Sequence, residues 1–205
     1  KSLLHRGPDQ SGFYLDKNIA LGIERLSILD IKNGMQPIYS NNRRYIIVHN
    51  GEIYNYKKLR DELKNKGFNF DTNTDTELIV NLYQYKGIDC LNDLNGMFAF
   101  AIYDLEKKEL FIGRDRFGIK PIYFFFDNKQ FIFASELKAI DSSFETIDVF
   151  PPGSCLTFNV NTVKEKSSFL NFTKYYRYFL TLKWTLAWVV RGCFRIGHGY
   201  ETETV

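Results

Sequence analysis

The order of its elements predicts an α+β layered domain, and three observations carry that prediction. Runs of β-branched and aromatic residues open the chain and culminate in Tyr45-Ile46-Ile47-Val48; two segments of helical apolar period follow; strand-like runs return from Met97 onward. Strands, then helices, then strands fit separate layers better than an alternation of βαβ units.

In order, His5-Arg6-Gly7-Pro8-Asp9-Gln10-Ser11-Gly12 is dense in turn formers and reads as a loop. Phe13-Tyr14-Leu15 and Ile19 to Ile23 read as a hairpin turning at Asp16-Lys17-Asn18. Arg25 to Asp30 leads to Gly34-Met35-Gln36-Pro37, where Gly and Pro break the pattern. The strand from Tyr45 to Val48 is expected to end in a turn at Asn50-Gly51, with a helix opening near Asn55, a residue type favoured at N-caps. Such a turn would hold a side-chain amide and a glycine N–H together, two donors suited to a developing oxyanion, although Asn-Gly alone marks only a turn.

Tyr56, Leu59 and Leu63 share one face of the first helix, which stops at Gly67. Leu78, Ile79, Leu82 and Tyr83 stripe the second, and Thr74-Asp75-Thr76-Glu77 fits a capping box with Thr74 as cap. A short helix is expected over Asp89 to Leu94. Met97 to Tyr103 is apolar on both faces and should be covered on both, with Leu110 to Ile112 pairing beside it. Pro121 to Phe126 and Gln130 to Phe133 form a second hairpin, and Ser135 to Ala139 a helical turn. The alternating charges Arg114, Asp115, Arg116 and Lys120, set beside Gly118 and Pro121, read as a salt-bridged structural corner rather than a phosphate site.

Composition narrows the class. At 205 residues, 44% hydrophobic and 25% charged, the chain is an ordinary globular one: a domain with a sizeable core, alone or with a tail. A net charge of +3 gives no reason to expect a nucleic-acid or membrane partner. Cys90, Cys155 and Cys193 stand in no metal-ligand or redox spacing, so a reducing, cytoplasmic setting without disulfides or metal is expected. No signal peptide is visible, and without an initiating Met the chain is expected to begin inside a longer one. Between Lys166 and Tyr200 there is no acidic residue and many aromatics. Phe179 to Val190 is too short to cross a bilayer; an interfacial helix is one reading, and a tail foreign to the domain the preferred one. The domain is therefore placed at 1–158 and an atypical tail at 159–205.

These residues resemble one family. His5-Arg6-Gly7-Pro8-Asp9, Arg25-Leu26-Ser27-Ile28, Gly34-Met35-Gln36-Pro37, Asn50-Gly51-Glu52-Ile53-Tyr54-Asn55 and Asp75-Thr76-Glu77 occur in its order. So do Gly96 to Phe100, Arg114 to Pro121, Ser135-Glu136-Leu137-Lys138 and Pro151-Pro152-Gly153. Together they resemble the glutaminase domain of glutamine-hydrolysing asparagine synthetases, a class II glutamine amidotransferase; nine elements in order make chance a poor explanation. The resemblance implies an N-terminal-nucleophile hydrolase fold, a four-layer αββα sandwich with two antiparallel sheets. It implies that a cysteine at the mature N-terminus attacks the glutamine side-chain amide. Ammonia would pass to a synthetase domain using ATP and Mg²⁺ to amidate aspartate; the glutaminase domain itself would need no cofactor, and a homodimer is compatible.

By the same resemblance Arg25 holds the glutamine α-carboxylate, Asp75 its α-amino group, and Asn50 and Gly51 form the oxyanion hole. Glu52 lies in the same turn, and Leu26, Ser27, Ile28 and Leu29 line the substrate side, although Leu26 and Ile28 could equally be core. Locally, Arg25 could be a strand-end surface residue, and Asp75 a helix-terminus acid as well as a ligand. The family's Cys-Gly-Ile start would lie upstream of Lys1, and no Ser-Gly-Gly-x-Asp-Ser pyrophosphate loop occurs. This segment alone is therefore expected to be inactive. Pro8 and the Arg114 to Pro121 corner argue against a sugar-phosphate or phosphoribosyl amidotransferase. A catalytically dead glutamine-binding or partner-binding module is the alternative.

Overall fold

The computed structural model describes residues 2–127, 130–140, 143–144, 146–161 and 172–176. After a 3₁₀ turn at Leu4–Arg6, β1 (Gln10–Asp16) and β2 (Ile19–Arg25) form the expected hairpin. β3 (Ile38–Tyr39) and β4 (Tyr45–Ile53) precede the helices α1 (Tyr56–Lys64), α2 (Asp75–Lys86) and α3 (Cys90–Asp93). Then come β5 (Gly96–Asp104), β6 (Glu109–Arg114), β7 (Tyr123–Phe126), β8 (Phe131–Ala134), β9 (Asp148–Val149), β10 (Ser154–Asn159) and β11 (Thr173–Lys174). Six strands make one antiparallel sheet in the order β11-β10-β6-β5-β4-β3; β8-β7-β9 form a second sheet.

The apolar alternation of β5 explains the layering. Phe98, Phe100 and Ile102 face α1 and α2, where Leu59, Leu63, Leu78, Ile79 and Leu82 close over them. Ala99, Ala101 and Tyr103 face the other way, onto a core shared with Leu21 of the hairpin and Ile122, Phe124 and Phe150 of the second-sheet layer. Both faces of β5 are covered, as its sequence requires. The chain is thus an α+β sandwich of antiparallel sheets.

Three expectations are corrected. β4 does not end at Asn50-Gly51: it runs on to Ile53, with Asn50 opposite Ala99, Gly51 opposite Phe98 and Glu52 opposite Met97. Gly51 takes φ 151°, a conformation open to glycine, so the strand stays extended where Asn-Gly would ordinarily turn. The turn falls at Tyr54-Asn55, and Asn55 does not cap α1 through its side chain; its amide bridges Asp93 O and Asn95 N instead.

The second correction concerns α2. Thr74 Oγ1 accepts from Glu77 N at 3.2 Å, but the Glu77 carboxylate accepts from Asp71 N and Thr72 N at 2.7 Å each rather than from Thr74 N. The acid closes the loop before the helix instead of completing a capping box. Thr74→Ala is expected to cost about 1 kcal/mol. Urea unfolding checks this, and an unchanged midpoint would mean the cap is redundant. Third, α2 is buried from Asp75 through Leu82, not along one stripe.

The Arg114 to Pro121 segment is a structural corner as expected, but Arg114 and Asp115 hold it through the backbone and not through the expected salt bridges. The buried Asp115 carboxylate accepts from Phe98, Phe117, Ile119 and Lys120 N–H, while Arg114 donates to the carbonyls of Gly118, Lys120 and Phe150. Ser135 to Ala139 contains a 3₁₀ turn at Leu137–Ala139. Beyond residue 158, β11 pairs Thr173 with Cys155 and Lys174 with Ser154. The 179–190 segment and Cys193 lie outside the described residues. Among the described residues no helix is long and apolar enough to cross a membrane.

Candidate active site

The outer edge of β4 organises the site. In an antiparallel pair, alternate residues turn their N–H and C=O groups away from the partner strand. His49 does so, because both its backbone groups are taken by Gln36: His49 N donates to Gln36 Oε1 at 2.7 Å and Gln36 Nε2 donates to His49 O at 3.1 Å. Ile53 has the same parity, and its N–H donates to Asp75 Oδ2 at 2.9 Å. Gly51 lies midway and turns its own N–H to the same edge. The edge is thus sealed by a side-chain amide on one side and a carboxylate on the other. Between them it opens at Gly51 into a cleft of about 750 Å³. That lies within the range of small-molecule sites, about 300–1,000 Å³.

No side chain fits at residue 51, since a Cβ would stand 2.1 Å from Met97 O and 2.7 Å from Phe98 Cα. Asn50, on the opposite face of the strand, donates from Nδ2 to Ser135 Oγ at 3.4 Å. Glu52 is exposed at the rim.

Arg25 closes the far side. It ends β2, is only 8% exposed, and is therefore no surface arginine. Its guanidinium donates to Gln10 Oε1 at 2.6 Å and to the carbonyls of Leu29 and Asp30. Burial pulls its pKa down, while Asp30, Asp9 and Asp75 oppose that shift. Gly34 lets the chain pass close by: a Cβ there would sit 2.5 Å from Arg25 Nη2 and 2.6 Å from Thr74 Cγ2. Arg25, Leu26, Ile28, Leu29, Asn50, Gly51, Glu52 and Asp75 all line the cleft. Ser27 does not; its N–H donates to Asp9 Oδ2 at 2.8 Å and its hydroxyl is buried. Leu26 and Ile28 are 56% and 74% exposed, so the reading of them as core fails.

Two of the distant sequence motifs meet at the mouth. Arg6 Nη1 and His5 Nε2 lie 2.9 and 3.0 Å from Glu136 Oε1, and Lys138 Nζ 3.2 Å from Oε2. Arg6 first, then Lys138 and His5, bring the Glu136 pKa down to about 2. Sequence reasoning missed Gln36, His49 and Thr76 as parts of the site. Gln36 appears in the sequence only inside the Gly34-Met35-Gln36-Pro37 motif, with no role of its own, and its amide bonds residues 13 and 40 positions away.

The cysteines of the described residues cannot act as nucleophiles. Cys90 and Cys155 are buried, do not line the cleft, and have thiol pKa values raised by burial, that of Cys155 to about 11.

His49 is 4% exposed, and burial pulls its pKa below 6.5, with Asp75 opposing and Lys120 reinforcing. The unfolded imidazole then takes up a proton near pH 6.5 before the folded one does. Stability should therefore be full above that pH and fall as pH drops below it, by up to about 1.4 kcal/mol per unit. Urea unfolding between pH 8 and 5.5 is expected to show this slope reduced in His49→Gln. Identical slopes in the two proteins would contradict it.

A model described as "Glutamine amidotransferase domain" matches residues 1–169. The chain belongs to this family. It is 48% identical over 153 residues to asparagine synthetase B [glutamine-hydrolyzing] of Escherichia coli (strain K12), covering 74% of this chain and 27% of that one. It is 44% identical over 138 residues to asparagine synthetase [glutamine-hydrolyzing] 1 of Bacillus subtilis (strain 168), covering 67% and 22%. The chain spans about a quarter of the length of these relatives. Among solved structures, the glutamine phosphoribosylpyrophosphate amidotransferase from B. subtilis superposes with a TM-score of 0.61 at 26% identity, covering 76% of this chain and 34% of that one. The sandwich of this glutamine amidotransferase domain is accordingly that of the N-terminal-nucleophile amidotransferases.

Proposed function

We propose that this amidotransferase domain hydrolyses free glutamine to glutamate and ammonia. The ammonia would serve a synthetase domain of the same protein that amidates aspartate with ATP and Mg²⁺. The observation that carries the reading is the open Gly51 N–H beside the Asn50 amide, set between one buried basic and one buried acidic side chain, Arg25 and Asp75. Free glutamine has the matching layout: an α-carboxylate and an α-ammonium at one end, an amide at the other. The names of the relatives, glutamine-hydrolysing asparagine synthetases, support the same substrate.

In this reading an N-terminal cysteine thiolate adds to the amide carbon, and the C=O electron pair moves onto oxygen. Asn50 Nδ2 and Gly51 N–H stabilise that oxyanion. The carbonyl re-forms as the C–N bond breaks, and the nitrogen leaves as ammonia with a proton from the cysteine's own α-amine. Water then adds to the thioester carbonyl, and the thiolate leaves to give glutamate. The glutaminase step uses no cofactor.

The test is glutamate production by the chain extended upstream of Lys1 with the N-terminal segment of a glutamine-hydrolysing relative. Glutamate and ammonia in equal amounts are expected. Glutamine binding without turnover would instead point to a catalytically dead binding module.

A further inference from the structure

Of the four charges in the Arg114 to Pro121 corner, three are spent on the backbone around it. Arg114 donates to the carbonyls of Gly118, Lys120 and Phe150, Asp115 accepts from backbone N–H groups, and Arg116 Nη2 donates to Asn92 O at 3.3 Å. The fourth is not spent. Lys120 is half-buried and lines the cleft, and among the described residues its ammonium has no hydrogen bond or ion pair. Its backbone is held from both sides: Lys120 N donates to Asp115 Oδ2 at 2.9 Å, and Lys120 O accepts from Arg114 Nε at 2.8 Å. The same Asp115 Oδ2 accepts from Phe98 N at 3.2 Å, and Phe98 lies opposite Gly51 in the β4–β5 pair. One carboxylate oxygen thus ties Lys120 to the part of β5 that runs beside Asn50 and Gly51. The ammonium also comes near enough to His49, the residue before Asn50, to oppose protonation of its ring.

The other charges of the cleft lining are accounted for. Arg6 pairs with Glu136, Glu24 accepts from Ser11, and Glu52 is exposed at the rim. Arg25 and Asp75 face the α-carboxylate and α-ammonium in the glutamine reading. Among the described residues, Lys120 is therefore the one cation of the lining without an acceptor. A charge partly withdrawn from water attracts an opposite charge more strongly than one in bulk solvent. Glutamine hydrolysis creates such a charge: the neutral side-chain amide becomes a γ-carboxylate, while the α-groups stay as they were.

We propose that Lys120 sets the preference of the cleft for the charge at the side-chain end of its ligand, its ammonium binding the γ-carboxylate of L-glutamate. The product is then a ligand of the same cleft and competes with the substrate. This rests on the glutamine reading above and deepens it. A carboxamide offers Lys120 only a dipole, whereas a carboxylate accepts a charge-assisted hydrogen bond. Arg25 and Asp75 treat the two amino acids alike, because their α-groups are identical. The difference between glutamate and glutamine is left to Lys120.

The test measures binding of L-glutamine and L-glutamate to the 205-residue chain by calorimetry at neutral pH, in about 50 and about 300 mM salt. Both amino acids are expected to bind, and added salt should weaken glutamate more than glutamine. Lys120→Met should weaken glutamate by more than about tenfold and glutamine by less than about twofold, while Lys120→Arg keeps glutamate within about threefold of the parent. Three outcomes overturn the proposal: glutamate unaffected by Lys120→Met, both ligands weakened equally, or a parent chain that binds glutamine and not glutamate. Those outcomes leave the glutamine reading standing. If Lys120→Met lowers the unfolding midpoint, the salt dependence of the parent chain decides, and equal slopes for the two ligands overturn the proposal. Absence of glutamine binding overturns both.

Discussion

Phe100→Ala is expected to destabilise the domain by about 3–5 kcal/mol, the range for truncating a buried aromatic. Phe100 is 3% exposed at the centre of β5 and stacks on Phe98, with ring centroids 5.5 Å apart and planes at 27°. Its ring also lies over Gly113, the residue opposite it on β6: a Cβ there would come within 2.7 Å of Phe100 Cζ. Phe111 closes the far side at 5.8 Å. These neighbours belong to hydrogen-bonded strands, so they cannot collapse into the space the ring leaves. The cost is then lost burial plus a retained cavity. In a domain of this size that amounts to a fall in Tm of about 10 °C or more. Calorimetric or urea unfolding provides the measurement. An unchanged midpoint would mean that β5 is not closed over by α1 and α2.

Local chemistry made much of this fold legible. The hairpin turn at Asp16-Lys17-Asn18, the Thr74 cap and the double-sided apolar run of β5 each depend on residues within one element, and each appears as expected. Failures occur where a distant partner overrides the local signal. Asn50-Gly51 is a strong turn signal, yet pairing with Ala99 and Phe98 keeps it extended. Glu77 looked like half of a reciprocal cap, but the N–H groups of Asp71 and Thr72 claim its carboxylate.

The site follows the same rule. Arg25, Asp75, Asn50 and Gly51 were found because the family resemblance names them, and the fold gathers all four around one cleft. Gln36 imitates a neighbouring strand with a single side-chain amide, and no periodicity announces that. Leu26 and Ile28 have the composition of core residues but sit on a loop whose carbonyls, not its side chains, are anchored by Arg25.

The largest functional effects are expected at Arg25 and Asp75. In the chain extended to an N-terminal cysteine, Arg25→Ala and Asp75→Ala should each lower kcat/KM for glutamine by about 2–5 kcal/mol, the cost of leaving a buried ligand charge unpaired. Asn50→Ala should act mainly on kcat, by roughly a hundredfold or more, because an oxyanion donor matters most in the transition state. Arg25→Ala also frees the loop that the guanidinium holds through Leu29 and Asp30, so its effect mixes recognition with positioning. Asp75→Asn separates the two roles. The asparagine oxygen can still accept from Ile53 N–H, which keeps the edge of β4 sealed, but the charge that meets an α-ammonium is gone. Asp75→Asn should therefore keep the unfolding midpoint of the parent protein while losing most of the kcat/KM that Asp75→Ala loses. Steady-state glutamate production by the parent and these variants decides it. If Arg25→Ala and Asp75→Asn stay within about twofold of the parent, near 0.4 kcal/mol, neither residue binds the amino-acid end of glutamine. Asp75 would then serve only to hold Ile53 and the start of α2.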